Sequence, residues 1–232
     1  MSTKRYLLAC VLSLGLLCAT RPADAAVMVS VDPAAPWQGF MNVFELPSNG
    51  GGFVFNGSWG TADLTAVFNG NVLTLGPNTV NDPSPFWYTP SGGPGSTGNK
   101  NMDANMYVQR EDLSTGDTVT FAGTVLSNTL VSPYTSVAFI KDFAPDFSSF
   151  NQVNVPLTPG DFSISLPTVA GAGRHVQYGF ETIGPNVWIT DVGPKGNVQV
   201  TQVPEPAGIA LLGVAGVALL RRGRGRGHRA AA

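Results

Sequence analysis

The chain has 232 residues, 13 Lys and Arg against 15 Asp and Glu, and two cysteines, a length for one ordinary domain plus appendages. The formal net charge of −2 hides an uneven distribution. Between residues 26 and 203 only Lys100, Arg110, Lys141, Arg174 and Lys195 are basic against thirteen acids, a net of −8, and such a domain repels phosphate backbones, which argues against nucleic acid as a partner.

The first 25 residues have the three zones of a secretory signal peptide. Lys4 and Arg5 form a basic start, Tyr6 to Ala19 an apolar stretch, and Ala23-Asp24-Ala25 a small-x-small cleavage site. The rule holds because the peptidase has shallow pockets for the first and third residues before the cut. The mature chain is expected to begin near Ala26. A permanent N-terminal anchor is the weaker reading, since the apolar run is short for a bilayer span. Leu7-Leu8-Ala9-Cys10 has the look of a lipoprotein acceptor, but acylation at Cys10 leaves almost no apolar stretch before the cut. Cys10 and Cys18 both lie inside the signal. The mature protein is thus expected to have no disulfide, thiolate nucleophile or cysteine metal ligand.

Residues 26–202 read as one all-β domain. Short runs alternate apolar and polar side chains and are bounded by Gly, Pro, Asn and Asp. In order they are VMVSV, GFMNVFE, GGFVF, LTAVF, NVLTL, TVTFAGTVL, DFSISLP, HVQYGFE and VQV. So many short strands predict a two-sheet antiparallel sandwich, with the jelly roll as the favoured form. No fixed-period repeat supports a propeller or solenoid.

A long loop is expected from Gly76 to Asn101, rich in turn formers yet carrying Phe86-Trp87-Tyr88 in its middle. Such rings on a loop can be a stacking platform for sugars, with nearby polar side chains directing hydroxyls. The blander alternative, which the flanking prolines favour, is that they fold back and plug the end of the sandwich. Trp37, Trp59 and Trp188 sit in or beside strand-like runs and read as packing residues.

His175 is the lone histidine of the domain. It opens a strand pattern with no nucleophile elbow anywhere, so an edge-strand histidine is a better reading than a triad member. No pair of carboxylates is singled out for glycoside hydrolysis, although that pair is set by space rather than by sequence spacing. The sequence therefore gives no expectation of a catalytic residue or of a cofactor. Oxygen ligands for a structural calcium would come from Asp82, Asp142 or Asp146, but no EF-hand or RTX pattern is present and solvated loop acids explain them better.

The stretch QYGFETIGPNVWITD, Gln177 to Asp191, loosely resembles the final strands of galactose-binding-type jelly rolls. That resemblance implies fold more than function.

The tail has three parts in order. Val203-Pro204-Glu205-Pro206 is followed by Ala207 to Leu220, fourteen uncharged residues with three glycines, and then by Arg221, Arg222, Arg224, Arg226 and Arg229. As a helix the apolar part would span about 21 Å, short of a hydrocarbon core near 30 Å unless arginines snorkel and the bilayer thins. The arginines would hold the C-terminus in the cytoplasm with the domain outside.

Residues 203–232 resemble the PEP-CTERM sorting signal of exported proteins from Gram-negative, exopolysaccharide-producing bacteria. The resemblance implies that Val203 to Pro206 form the sorting motif, that Arg221 and Arg222 are the membrane stop, and that a membrane-embedded exosortase is a partner alongside signal peptidase. It further implies transient anchoring in the inner membrane, cleavage near the motif, and a final place at the cell surface or outside the cell. The run from Gly223 to Ala232 is longer than that family's usual tail, which bears on processing efficiency.

Two functional expectations follow. The first is a non-catalytic surface or matrix protein that binds exopolysaccharide or is purely structural. The second is an extracellular hydrolase acting on such glycans.

Overall fold

The computed structural model describes residues 26–203. The expected signal site at Ala23 and Ala25, the motif residues Pro204 to Pro206 and the stop at Arg221 and Arg222 lie outside the described residues. Among the described residues no helix is long and apolar enough to cross a membrane.

Fourteen strands follow one another among these residues: β1 (Val27–Ser30), β2 (Gln38–Glu45), β3 (Phe53–Trp59), β4 (Ala66–Asn69), β5 (Val72–Leu75), β6 (Tyr88–Thr89), β7 (Thr97–Gly98), β8 (Lys100–Arg110), β9 (Thr118–Asn128), β10 (Thr135–Phe143), β11 (Phe150–Pro156), β12 (Gly160–Pro167), β13 (His175–Pro185) and β14 (Val198–Thr201). They build two six-stranded sheets and a small β6–β7 hairpin. The first sheet runs β1-β9-β14-β5-β4, with β12 on the free side of β9; the second runs β11-β10-β13-β8-β2-β3.

The alternating runs become strands because one face of each must leave water. Val119, Phe121 and Val125 of β9 and Phe162, Ile164 and Leu166 of β12 meet Tyr178 and Phe180 of β13 and Met102 and Met106 of β8 in one core. Phe121 sits 5.2 Å from Tyr178 and 5.4 Å from Phe180 between ring centroids. Trp37, Trp59 and Trp188 pack on this core, partly buried. The two sheets therefore stack as a β-sandwich.

Three details differ from the sequence reading. The sandwich is not wholly antiparallel, because β1 pairs with β9 in parallel, Val27 opposite Val119. β14 pairs with the other half of β9, from Thr124 to Asn128, so β1 occupies the stretch of that strand left over. The long loop ends earlier than Asn101, since Lys100 and Asn101 begin β8. Finally, the alternation did not reveal five strands: β6 and β7, which form a hairpin within the expected loop, and β8, β10 and β11, which all belong to the second sheet.

Candidate functional site

The outward face of the second sheet carries a trough of about 680 Å³, lined by side chains from all six of its strands. Strand register explains how residues so far apart in sequence meet. Gln152, Lys141, Gln177 and Gln109 stand in one row across β11, β10, β13 and β8. A second row places Glu181, Asn105, Phe40 and Ser58 side by side on β13, β8, β2 and β3. A third sets Asp103 beside Asn42 and Asn56. Between the first two rows lies Gly179, flanked by Phe139 and Tyr107. A Cβ there would fall 2.1 Å from the Met106 carbonyl oxygen, so only glycine lets the strands close and leaves the floor open at that point.

The floor is a connected polar network. Lys141 Nζ donates to Asn105 Oδ1 at 3.0 Å and to Glu181 Oε2 at 3.1 Å. Its ammonium also lies 4.2 Å from the centroid of the Phe139 ring. Asn105 Nδ2 donates to Asp103 Oδ1 at 2.7 Å, and Asn42 Nδ2 donates to Asp103 Oδ2 at 3.1 Å. Gln177 Nε2 donates to Gln109 Oε1 at 2.8 Å. Burial pushes the Asp103 carboxyl up to about 6, the charge of Glu181 adds to the rise, and the Asn42 amide, the Lys141 charge and the Asn105 amide oppose it. Burial likewise raises the Tyr107 phenol.

One side of the trough is aromatic. Phe143, Phe147 and Phe150 cluster with centroid distances of 5.4 Å and 5.0 Å, and Phe147 lies flat on the His175 imidazole at 4.3 Å and 5°. His175 Nδ1 is 3.2 Å from Glu111 Oε1 and 3.3 Å from Gln109 Nε2. The expectation of an edge-strand histidine is corrected here: β13 lies between β10 and β8 inside the sheet, and His175 supports the aromatic wall.

The loop that carries Phe86, Trp87 and Tyr88 is not a three-ring platform. Tyr88 is fully buried and Trp87 nearly so, whereas Phe86 keeps 42% exposure. The Tyr88 hydroxyl donates toward the Val80 and Val187 carbonyls at 2.7 and 3.0 Å and accepts from the Val80 N–H at 3.1 Å. Asn186 Nδ2 donates to the Trp87 carbonyl at 2.9 Å. The Lys100 ammonium, held at 3.0 Å by Glu45, covers the Phe86 ring at 4.4 Å. These bonds close the end of the sandwich. Tyr88→Phe is expected to lower stability by about 1–2 kcal/mol, because the Val80 N–H loses its acceptor in a buried place. Chemical denaturation of the two proteins checks it.

The three candidate calcium oxygens do not converge. Asp142 is bound by Arg174, Asp82 accepts from the Ser84 N–H, and Asp146 from Ser148. Among the described residues no three His, Cys, Asp or Glu side chains gather to hold a metal ion. The stretch Gln177–Asp191 divides its side chains. Gln177 and Glu181 line the trough, while Pro185 to Val187, Thr190 and Asp191 line a second cavity of about 610 Å³ at the loop end. In that cavity burial pushes the Tyr134 phenol up to about 12.

No protein-family model, no curated protein and no solved structure matches this chain. The trough is therefore read from its own chemistry.

Proposed function

We propose that the chain is an exported surface or matrix protein of an exopolysaccharide-producing Gram-negative cell, sorted by its PEP-CTERM tail, whose β domain binds glycan in the trough without catalysis. The observation that carries the binding part is the set of carboxamides spread over three rows of adjacent strands, Asn42, Asn105, Gln109, Gln152 and Gln177, beside an aromatic wall. Each carboxamide offers donors and an acceptor together, which matches sugar hydroxyls. The wall supplies flat apolar surface for the sugar's C–H face. The finer topology we assign is a jelly roll, since from β8 to β14 nearly every connection changes sheet.

Binding is tested on a glycan array with the exported protein and with Gln177→Ala and Asn42→Ala. Each amide removed is expected to weaken binding about 3- to 10-fold. An array with no bound glycan sinks the binding reading and leaves a purely structural matrix role. Sorting is tested by mass spectrometry of protein from an exosortase-containing host. The expected C-terminus lies near Pro204 to Pro206, without Leu211 to Ala232; recovery of only the full tail counts against it.

A hydrolase is the second reading, and Asp103 with Glu181 favours it. Glu181 is opposite Asn105, which places Asp103 diagonally from it across two strands. A carboxyl raised to about 6 suits an acid near neutral pH, and the second carboxylate would activate water. Sugar release from matrix polysaccharide, abolished by Glu181→Gln, would establish that reading over binding alone.

A further inference from the structure

We infer that the trough takes an internal stretch of a neutral, linear polysaccharide laid across the strands, with Phe147 as the ring on which one sugar of that stretch stacks. The inference rests on the glycan reading above and adds the class of chain, its direction and its platform.

Direction follows from topology. Gln152 lies on β11 and Asn56 on β3, the two edge strands of the sheet. Five strand-to-strand steps separate those edges, about 24 Å at the usual spacing, longer than a disaccharide. The trough reaches both edges of the sheet, whereas Phe147 stands on the turn between β10 and β11, beside the path rather than across it. A site for a chain end needs a closed wall; a site for an internal stretch needs this open passage.

Charge selects the class. Among the described residues Lys141 is the single cation lining the trough, and its ammonium is already held by Glu181 and Asn105. Asp103 and Glu181 leave the floor anionic, so a uronate polymer meets like charge at short range. Neutral hydroxyls, in contrast, can donate to these carboxylates.

The platform is identified by its backbone. Phe147 has φ +57°, in the left-handed region that a bulky residue rarely adopts. The turn is fixed from several sides: the Ala144 N–H donates to the Ser149 carbonyl at 2.9 Å, and the Asp146 carboxylate accepts from the Ser148 N–H and hydroxyl at 3.1 and 2.6 Å. Yet the ring held there is 49% exposed. His175 stacks on it at 4.3 Å and Phe143 packs at 5.4 Å, which fixes its plane, while its exposed part lines the trough. Core packing alone does not explain strain spent on a half-exposed phenyl, and such strain concentrates at functional positions.

The test uses the full chain in calorimetric titrations against cello-, manno- and laminari-oligosaccharides from di- to hexasaccharide, their borohydride-reduced forms, and polygalacturonate and alginate. In the neutral series that binds, affinity is expected to rise at least about ten-fold from di- to pentasaccharide, to be insensitive to end reduction, and to exceed any uronan binding. Phe147→Gly relieves the left-handed strain while removing the ring, so binding should fall about ten-fold or more with the melting temperature held. Phe147→Trp should restore binding. A preference for disaccharides, loss of binding on reducing the chain end, or tight uronan binding overturns the inference and leaves glycan binding standing. Full binding by Phe147→Gly overturns the platform. Should that variant fail to fold, Phe147→Trp decides: unchanged or tighter binding supports stacking, and lost binding overturns it. No binding anywhere in the panel overturns the glycan reading itself and this inference with it.

Discussion

Replacing Arg174 by Met is expected to lower the stability of the domain by about 3–5 kcal/mol, the range for breaking a buried ion pair from one side. Asp142 is wholly buried and the Arg174 side chain is 15% exposed. Arg174 Nε donates to Asp142 Oδ1 at 3.0 Å, its Nη2 donates to the Asp142 carbonyl at 3.2 Å, and the Val169 N–H donates to Oδ2 at 2.8 Å. Together these bonds tie the connection between β12 and β13 to the end of β10. Without the guanidinium, the buried carboxylate keeps one backbone donor, and a buried charge left without its partner costs free energy. The melting temperature should drop by roughly 10 °C, given about 2–4 °C per kcal/mol for a domain of this size. The double variant Asp142→Leu/Arg174→Met should recover most of the loss, because it buries no charge. Urea unfolding of the three proteins measures both claims; a loss below about 1 kcal/mol in Arg174→Met would refute the first.

This pair also shows why the sequence located Asp142 without its role. Asp142 and Arg174 are 32 positions apart, and neither position has a local signal. The strands that could be read early, β9, β12 and β13, each have one dry face, so period-two alternation is clean. β10 could not be read that way, since Phe139 on its outward face is as buried as Ala138 and Ile140 on its inward face. β8 does alternate, with Met102, Ala104, Met106 and Val108 inward. Its outward positions are Asn101, Asp103, Asn105, Tyr107 and Gln109, and among these Asn and Asp are poor strand formers. The properties that hid these strands are those that line the trough.

The aromatic cluster teaches the converse. Phe86-Trp87-Tyr88 was visible as a group, and plugging was one of its two readings. What fixes it is a pair of partners 99 positions away, the Val187 carbonyl and the Asn186 side chain. The exposed rings that flank polar amides are instead Phe147 and Phe150, which sit singly in sequence and carry no local signal. Local composition announces a cluster, but register and long-range pairing decide where it goes.

Asp103→Asn is expected to raise stability by about 3 kcal/mol at pH 7 to 8 and to leave it nearly unchanged at pH 4. The Asp103 carboxyl is raised from 3.8 to about 6 in the folded protein, and each unit corresponds to about 1.4 kcal/mol. The folded state binds the proton more tightly than the unfolded one, so between these values stability falls as pH rises. The contribution is fully present below about 4 and is lost as pH passes through about 6. Asparagine copies the protonated form at all pH values: its oxygen accepts from Asn105 Nδ2, and its NH2 donates to the Asn42 amide oxygen once that amide turns over. Exposed carboxylates with lowered values, Asp112 and Asp146, push the other way in both proteins, so the difference between the two melting curves isolates Asp103. That difference should open between pH 4 and 6 and then level off; a difference flat with pH would sink the assignment. Glu181→Gln should move the midpoint below about 6, since it removes a nearby negative charge and leaves Lys141 facing Asp103. A chain that keeps a carboxylate where an amide is the more stable choice retains an anionic acceptor aimed into the trough. On the glycan reading, hydroxyls donated by a sugar chain offset the desolvation that makes this carboxylate unfavourable in the free protein, so a bound glycan should lower the Asp103 midpoint.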